Sequence, residues 1–200
     1  MLRYAENCRS LGLCGEDSAA MCKCEDDTSA DQISADQISA EVPDWSREQP
    51  RQFWDPGRKL LLAIRRYQYW RSRKGPLALL ICKWLVLRHR FWGMVTSADI
   101  PLNCCIGGGL LINHPSGIVI HPEARIGVNC LIFQQVTIGT RGRQGVPEIG
   151  GHVDIGPGAK ILGPVRIGAH ARIGANAVVL SDVPRGAVAI GIPAKVSIAD

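Results

Sequence analysis

A chain of 200 residues, 46% hydrophobic and 20% charged, has the length and apolar content for one domain with a sizeable core, which excludes a wholly disordered chain. Its formal net charge of +5 is unevenly spread: residues 1–54 carry eleven acids and five bases, 55–95 one acid and ten bases, and 96–200 six acids and eight bases. The basic surplus belongs to one short segment, so charge gives no argument for nucleic acid as a partner.

Residues 1–54 show little apolar periodicity and include a tandem copy, "SADQISADQIS". They read as an acidic, mostly disordered tail. No basic-then-apolar leader with a cleavage site opens the chain, so a cytoplasmic location with reduced thiols is expected. Cys8, Cys14, Cys22 and Cys24 lack a paired CxxC knuckle and lie in an acidic, serine-rich stretch, and no zinc site is expected of them.

At Asp55-Pro56 the texture changes, because aspartate followed by proline suits the cap and first position of a helix. Leu60, Leu61, Ile64 and Tyr67 then recur at helical intervals, Gly75-Pro76 breaks the run, and "LALLICKWLVLRHRFWGMV" predicts a second helix. Lys83 and the terminal "RHR" leave its apolar run too short to span a bilayer. Residues 55–97 are therefore expected as a basic helical hairpin, packed on the main domain or on a subunit partner. Contact of this tryptophan-bearing hairpin with a membrane surface is the less favoured alternative.

From Ile106 the sequence repeats. Aliphatic residues fall six apart at Ile120, Ile126, Ile132 and Ile138, and again at Ile149, Ile155, Ile161, Ile167, Ile173 and Val179. Glycine often follows, and four positions after the aliphatic comes a small or branched residue such as Ala124, Cys130, Val136, Val153 or Ala171. A helix needs a period near 3.6 and an ordinary strand a period of 2. Period six means a short strand, a turn and another short strand, with three such units closing one triangular coil. Residues 98–200 are thus expected to form a mainly β domain, a parallel β-helix of hexapeptide repeats. "TRGRQGVPE" interrupts the repeat between Ile138 and Ile149, and an insertion in a coil fold leaves the body as a loop.

With the repeats in place, "ADIPLNCCIGGGLLINHPSGIVI", "LIFQQVTIGT", "DIGPGAKILGPVRIG" and "AIGIPAKV" together resemble the serine acetyltransferase branch of the hexapeptide acyltransferases, over Asp99 to Lys195. The resemblance implies a left-handed coil, against the usual right-handed crossover preference. It implies transfer of an acetyl group from acetyl-CoA to a hydroxyl, with serine as acceptor in cysteine biosynthesis. His114 then falls at the general base, and Asp99 at the aspartate that pairs with its ring. Thr140, Gly158, Ala159, Ala175 and Lys195 match positions near the CoA arm. The resemblance also implies a homotrimer with sites between subunits, a dimer of trimers being left open; no metal is expected, because His152 and His170 have no matched third ligand.

Two departures from the family bear on the acceptor. Asn113 stands where relatives have aspartate just before the base, and is placed with the acceptor-binding residues. Gly145-Val146 stands where relatives have an arginine-histidine pair before the proline that reopens the repeats. Arg141 or Arg143, in the same loop, is the remaining candidate for the acceptor's carboxylate or a phosphate. A saccharide hydroxyl in polysaccharide biosynthesis is the alternative acceptor, and a non-catalytic β-helix scaffold the alternative class. His121 occupies a slot that usually holds glycine and is expected to be a corner residue. His152 and His170, eighteen apart, should stack on adjacent coils as solvated surface histidines.

Overall fold

The computed structural model describes residues 39–142 and 145–198. The tandem copy up to residue 38, the four amino-terminal cysteines and Arg143 lie outside the described residues.

The hairpin forms at the places its punctuation predicts. Helix α1 spans Pro56–Arg71 and helix α2 spans Pro76–Thr96. The Asp55 side chain accepts from the Arg58 amide and also pairs with the Arg58 guanidinium at 3.1 Å. Gly75 takes a φ of 124°, a value open to glycine alone, and Pro76 starts the second helix. Leu60, Leu61 and Ile64 are buried where α1 closes the open end of the β domain.

That domain is a left-handed parallel β-helix. One face stacks Cys105–Ile106, Arg125–Ile126, Glu148–Ile149 and Arg166–Ile167. A second stacks Val119–Ile120, Thr137–Gly139, Lys160–Leu162 and Val178–Val179. The third stacks Leu131–Ile132, Asp154–Ile155 and Arg172–Ile173, and then turns back on itself through the antiparallel pair Ala187–Gly191 and Ala194–Ile198. Each aliphatic of the period-six series lies over its equivalent, Ile126 on Ile149 and Ile149 on Ile167, and none from Ile120 to Val179 is more than 3% exposed. Burying such a side chain contributes about 2 kcal/mol, so stacking accounts for most of the driving force. Ala124, Cys130, Val136, Val153, Ala159, Ala171 and Ala177 are wholly buried, which confirms that the narrow interior selects small side chains.

Where coils meet at a corner the backbones nearly touch. A Cβ on Gly127 would sit 2.4 Å from the Gly150 carbonyl carbon, and glycine is required there by contact rather than by conformation. A second kind of corner needs a left-handed backbone: Asn129, His152 and His170 take φ values of 57°, 53° and 60° on successive coils.

Residues 39–48 are not the disordered segment expected of them. They form a strap across the coils. The Asp44 amide donates to Asn129 Oδ1 at 2.8 Å, and Asn129 Nδ2 donates to the carbonyls of Ser39 and Val42 at 2.7 Å each. After a 3-10 turn at Trp45–Glu48, the buried Glu48 carboxylate meets the Arg65 guanidinium at 2.8 Å and accepts from the Leu110 amide at 3.1 Å. Arg65 also donates to the Ile106 and Gly107 carbonyls at 2.7 and 2.6 Å. Strap, α1 and first coil are one packed unit, because Arg65 can satisfy its fork only by reaching all three. Charge composition hid this, since the segment's few anchoring residues are diluted by polar neighbours.

Candidate active site

Two departures from period six shape the site. The register shows the first: Asp99 bridges to Val119 and Cys105 pairs with Arg125, each 20 residues on, where later coils such as Val119 with Thr137 advance 18. The two extra residues fall between Ile112 and Ile120, in the segment "NHPSG" that carries His114. A strict repeat would turn Ser116, four positions after Ile112, inward. The insertion instead pushes the segment out as a bend, and Asn113 and His114 are both exposed.

Asp99 lies on the coil alongside. Its amide donates to the Ile118 carbonyl at 2.8 Å, its carbonyl accepts from the Ile120 amide at 3.0 Å, and the Gly117 amide donates to the Ser97 carbonyl at 3.0 Å. The backbone bearing Asp99 is thus hydrogen-bonded to the segment that begins three residues after His114. The Asp99 side chain is also exposed, and among the described residues no hydrogen bond or ion pair joins it to the His114 ring.

The second departure is the loop. Arg125 pairs with Glu148, 23 residues on, so the loop after Gly139 adds five to a coil. It folds back along the next coil: Gly163 donates to the Gly139 carbonyl at 3.0 Å, a Cβ on Gly163 would lie 3.2 Å from Arg141 Cβ, and one on Gly145 3.3 Å from Pro164. Thr140 and Arg141 are exposed on it.

Of the residues assigned to the CoA arm, Ala175 is exposed on a corner, and Lys195 is exposed on the returning strand, paired with Ile190. Gly158 is half-buried with a φ of 73°, and a Cβ there would meet Asn176 Oδ1 at 2.1 Å. Ala159 differs: its side chain is wholly buried in the coil, so any ligand contact at that position runs through its backbone. Lys160, which the sequence reading passed over, follows Ala159 and donates to the Gln135 carbonyl at 2.7 Å and to Thr137 Oγ1 at 3.0 Å. Its signal was its outward repeat slot, shared by many solvated lysines.

His121 is a corner residue: its Nδ1 accepts from the Glu123 amide at 3.2 Å and its carbonyl from the Ala124 amide. His152 and His170 are not solvated as expected. Both are half-buried, and their Nδ1 atoms stand 2.9 Å apart with the rings edge to face. Burial holds His152 below the usual histidine range; His170, Arg47 and Arg172 add to this and Asp154 opposes it. Among the described residues no group of three or more His, Cys, Asp or Glu is arranged to hold a metal. The buried thiols are inert: desolvation pushes Cys104 up to about 12 and Cys130 up to about 11.

Comparison with known proteins agrees with this geometry. The family described as "Bacterial transferase hexapeptide (six repeats)" matches residues 147–181. The serine acetyltransferase of Mycobacterium tuberculosis is 43% identical over 109 residues, which are 53% of this chain and 48% of that protein. That of Helicobacter pylori is 42% identical over 109 residues, covering 53% of this chain and 64% of the relative. Among solved structures, the soybean serine acetyltransferase apoenzyme superposes with a TM-score of 0.59 at 38% identity, over 71% of this chain and 57% of that one. A serine acetyltransferase in complex with CoA gives 0.60 at 30% identity, over 72% and 57%. The chain spans about half the length of the curated relatives it matches. In its repeats and its two register breaks the chain is similar to the serine acetyltransferases among the hexapeptide-repeat proteins.

Proposed function

We propose that the chain is an acetyl-CoA-dependent O-acetyltransferase with serine as its acceptor. The observation that carries this reading is the exposed two-residue expansion that carries His114 just before the edge on which Asp99 pairs. As the acceptor oxygen attacks the thioester carbonyl, His114 takes the hydroxyl proton; when the C–S bond breaks, the imidazolium returns that proton to the departing CoA sulfur. Histidine suits both steps because its protonation changes near neutral pH, and a positioned base contributes about 10²–10⁴-fold. Asp99 orients the ring and compensates its positive charge in the transition state.

Thr140, Gly158, Ala175 and Lys195 line the arm of CoA, with Ala159 contributing backbone. Lys195 meets a phosphate, and the small residues let the pantetheine lie close to the coils. Asn113 and Arg141 or Arg143 bind the acceptor, an arginine replacing the cationic partner that relatives draw from the pair occupied here by Gly145-Val146. The working unit is a homotrimer, since one chain supplies one cleft-forming loop and a neighbour must wall the other side. Its compartment is the cytoplasm, and among the described residues no helix is long and apolar enough to cross a membrane.

The Gly145-Val146 departure favours one second reading, a sugar hydroxyl as acceptor, because a saccharide brings no carboxylate to neutralise. Thiol release from acetyl-CoA, measured over serine, homoserine and sugar acceptors, separates the two. Serine is expected to turn over fastest; release with sugars alone would transfer the assignment to the saccharide, and release with none would leave a scaffold.

A further inference from the structure

We propose that the outer face of α2 docks on an anionic lipid surface. Helix α2 buries only Ala78, Leu85, Trp92 and Thr96. Leu77, Leu80, Trp84, Leu87, Phe91 and Met94 recur at alternating three- and four-residue steps, which sets them in one row, and they are 48–73% exposed. Arg88 and Arg90 join Trp84, Leu87, Phe91 and Met94 around a shallow concavity. A contiguous apolar row of this size on a small domain marks an interaction surface.

Charge identifies what covers it. Between Pro56 and Ala98 the chain has ten bases and no acid. Lys83 and Arg90 stand exposed beside the apolar row, and Arg66, Arg71, Arg73 and Lys74 are on or near the same hairpin. The three-four spacing alone would suit a helix of a second copy. A second copy of α2, however, would set cation against cation with no acid to answer it. An anionic bilayer surface answers the exposed bases together, and leucine, tryptophan, phenylalanine and methionine are the side chains that sink into the headgroup–acyl boundary. The chain's own residues 1–38, with eight acids and three bases, are the other charge-matched occupant. They join the described structure at Ser39, and with little apolar periodicity they offer acids but no apolar face to match the row.

The test is co-sedimentation of the full-length protein with vesicles of phosphatidylcholine alone or mixed with phosphatidylglycerol. Binding is expected only to the mixed vesicles, weakening at high salt. Leu87→Ser with Phe91→Ser, and separately Lys83→Gln with Arg90→Gln, should each weaken it at least about tenfold with the melting temperature and solution mass unchanged. Because these side chains are exposed, the variants are expected to fold. Failure of the wild-type chain to bind the mixed vesicles overturns the proposal. So does a fall in oligomer mass in the Leu87/Phe91 variant, which would give the face to a second copy. Binding that emerges only after residues 1–38 are deleted would give it to the tail, and also overturns it.

Discussion

His152 and His170 meet across one step of the β-helix, Nδ1 to Nδ1 at 2.9 Å, each on a left-handed corner of its coil. One ring must donate and the other accept, so the contact needs at least one neutral imidazole. A second proton would place two cations in contact beside Arg47 and Arg172, with Asp154 alone opposing them.

Burial lowers the folded pKa of His152 below its unfolded value near 6.5, so the unfolded chain binds the proton more readily. The stability tied to this group is therefore complete above the unfolded pKa and is lost as pH falls below it. Thermal melts should show a falling Tm between about pH 7 and pH 5. His152→Asn should flatten that slope, since asparagine accepts the same backbone, as Asn129 does one coil earlier. An unchanged slope would remove His152 as its source.

His114→Ala is expected to lower kcat by on the order of 10²-fold or more, with the KM for acetyl-CoA little changed. Asp99→Asn should give a smaller loss in the same parameter, because the base remains while its orientation weakens. His121→Ala should leave turnover alone, since its ring serves a corner amide at Glu123. Steady-state kinetics that ranked His121 above His114 would reassign the base.

The strap predicts two truncations with different outcomes. Removing residues 1–38 should leave the melting temperature unchanged. Removing 1–50 takes away Glu48, strands Arg65 in a half-buried site and unpairs Asn129, and should lower Tm by about 4 °C or more. Equal melting temperatures for the two would mean the strap adds no stability.

Asn129→Ala tests the same contact from the other side. It deletes three side-chain hydrogen bonds at a position only 1% exposed and puts alanine at a φ of 57°. A loss of about 2–4 kcal/mol is expected in urea unfolding.

The interior of the coil predicts an overpacking penalty. Ala171→Leu should cost about 1–3 kcal/mol or block folding, because the added carbons have no free volume between stacked coils. An equally stable variant in the same denaturation assay would show that the interior is looser than its burial implies.

Sequence alone determined the β-helix, the hairpin and the loop after Gly139, because these rest on local signals: a period, a proline-glycine break, an interruption of register. It also gave the candidates His114 and Asp99, through motifs lying close together along the chain. The tertiary structure alone decided that residues 39–48 are a strap and that His152 and His170 touch. It also left the apolar row of α2 uncovered, where an apolar helix by itself reads as equally buried or exposed. The physical reason is common to all three. A hexapeptide period fixes which side chain points in or out, but partners from distant segments fix what the outward ones meet, and no spacing records a contact between Asp44 and Asn129, 85 residues apart.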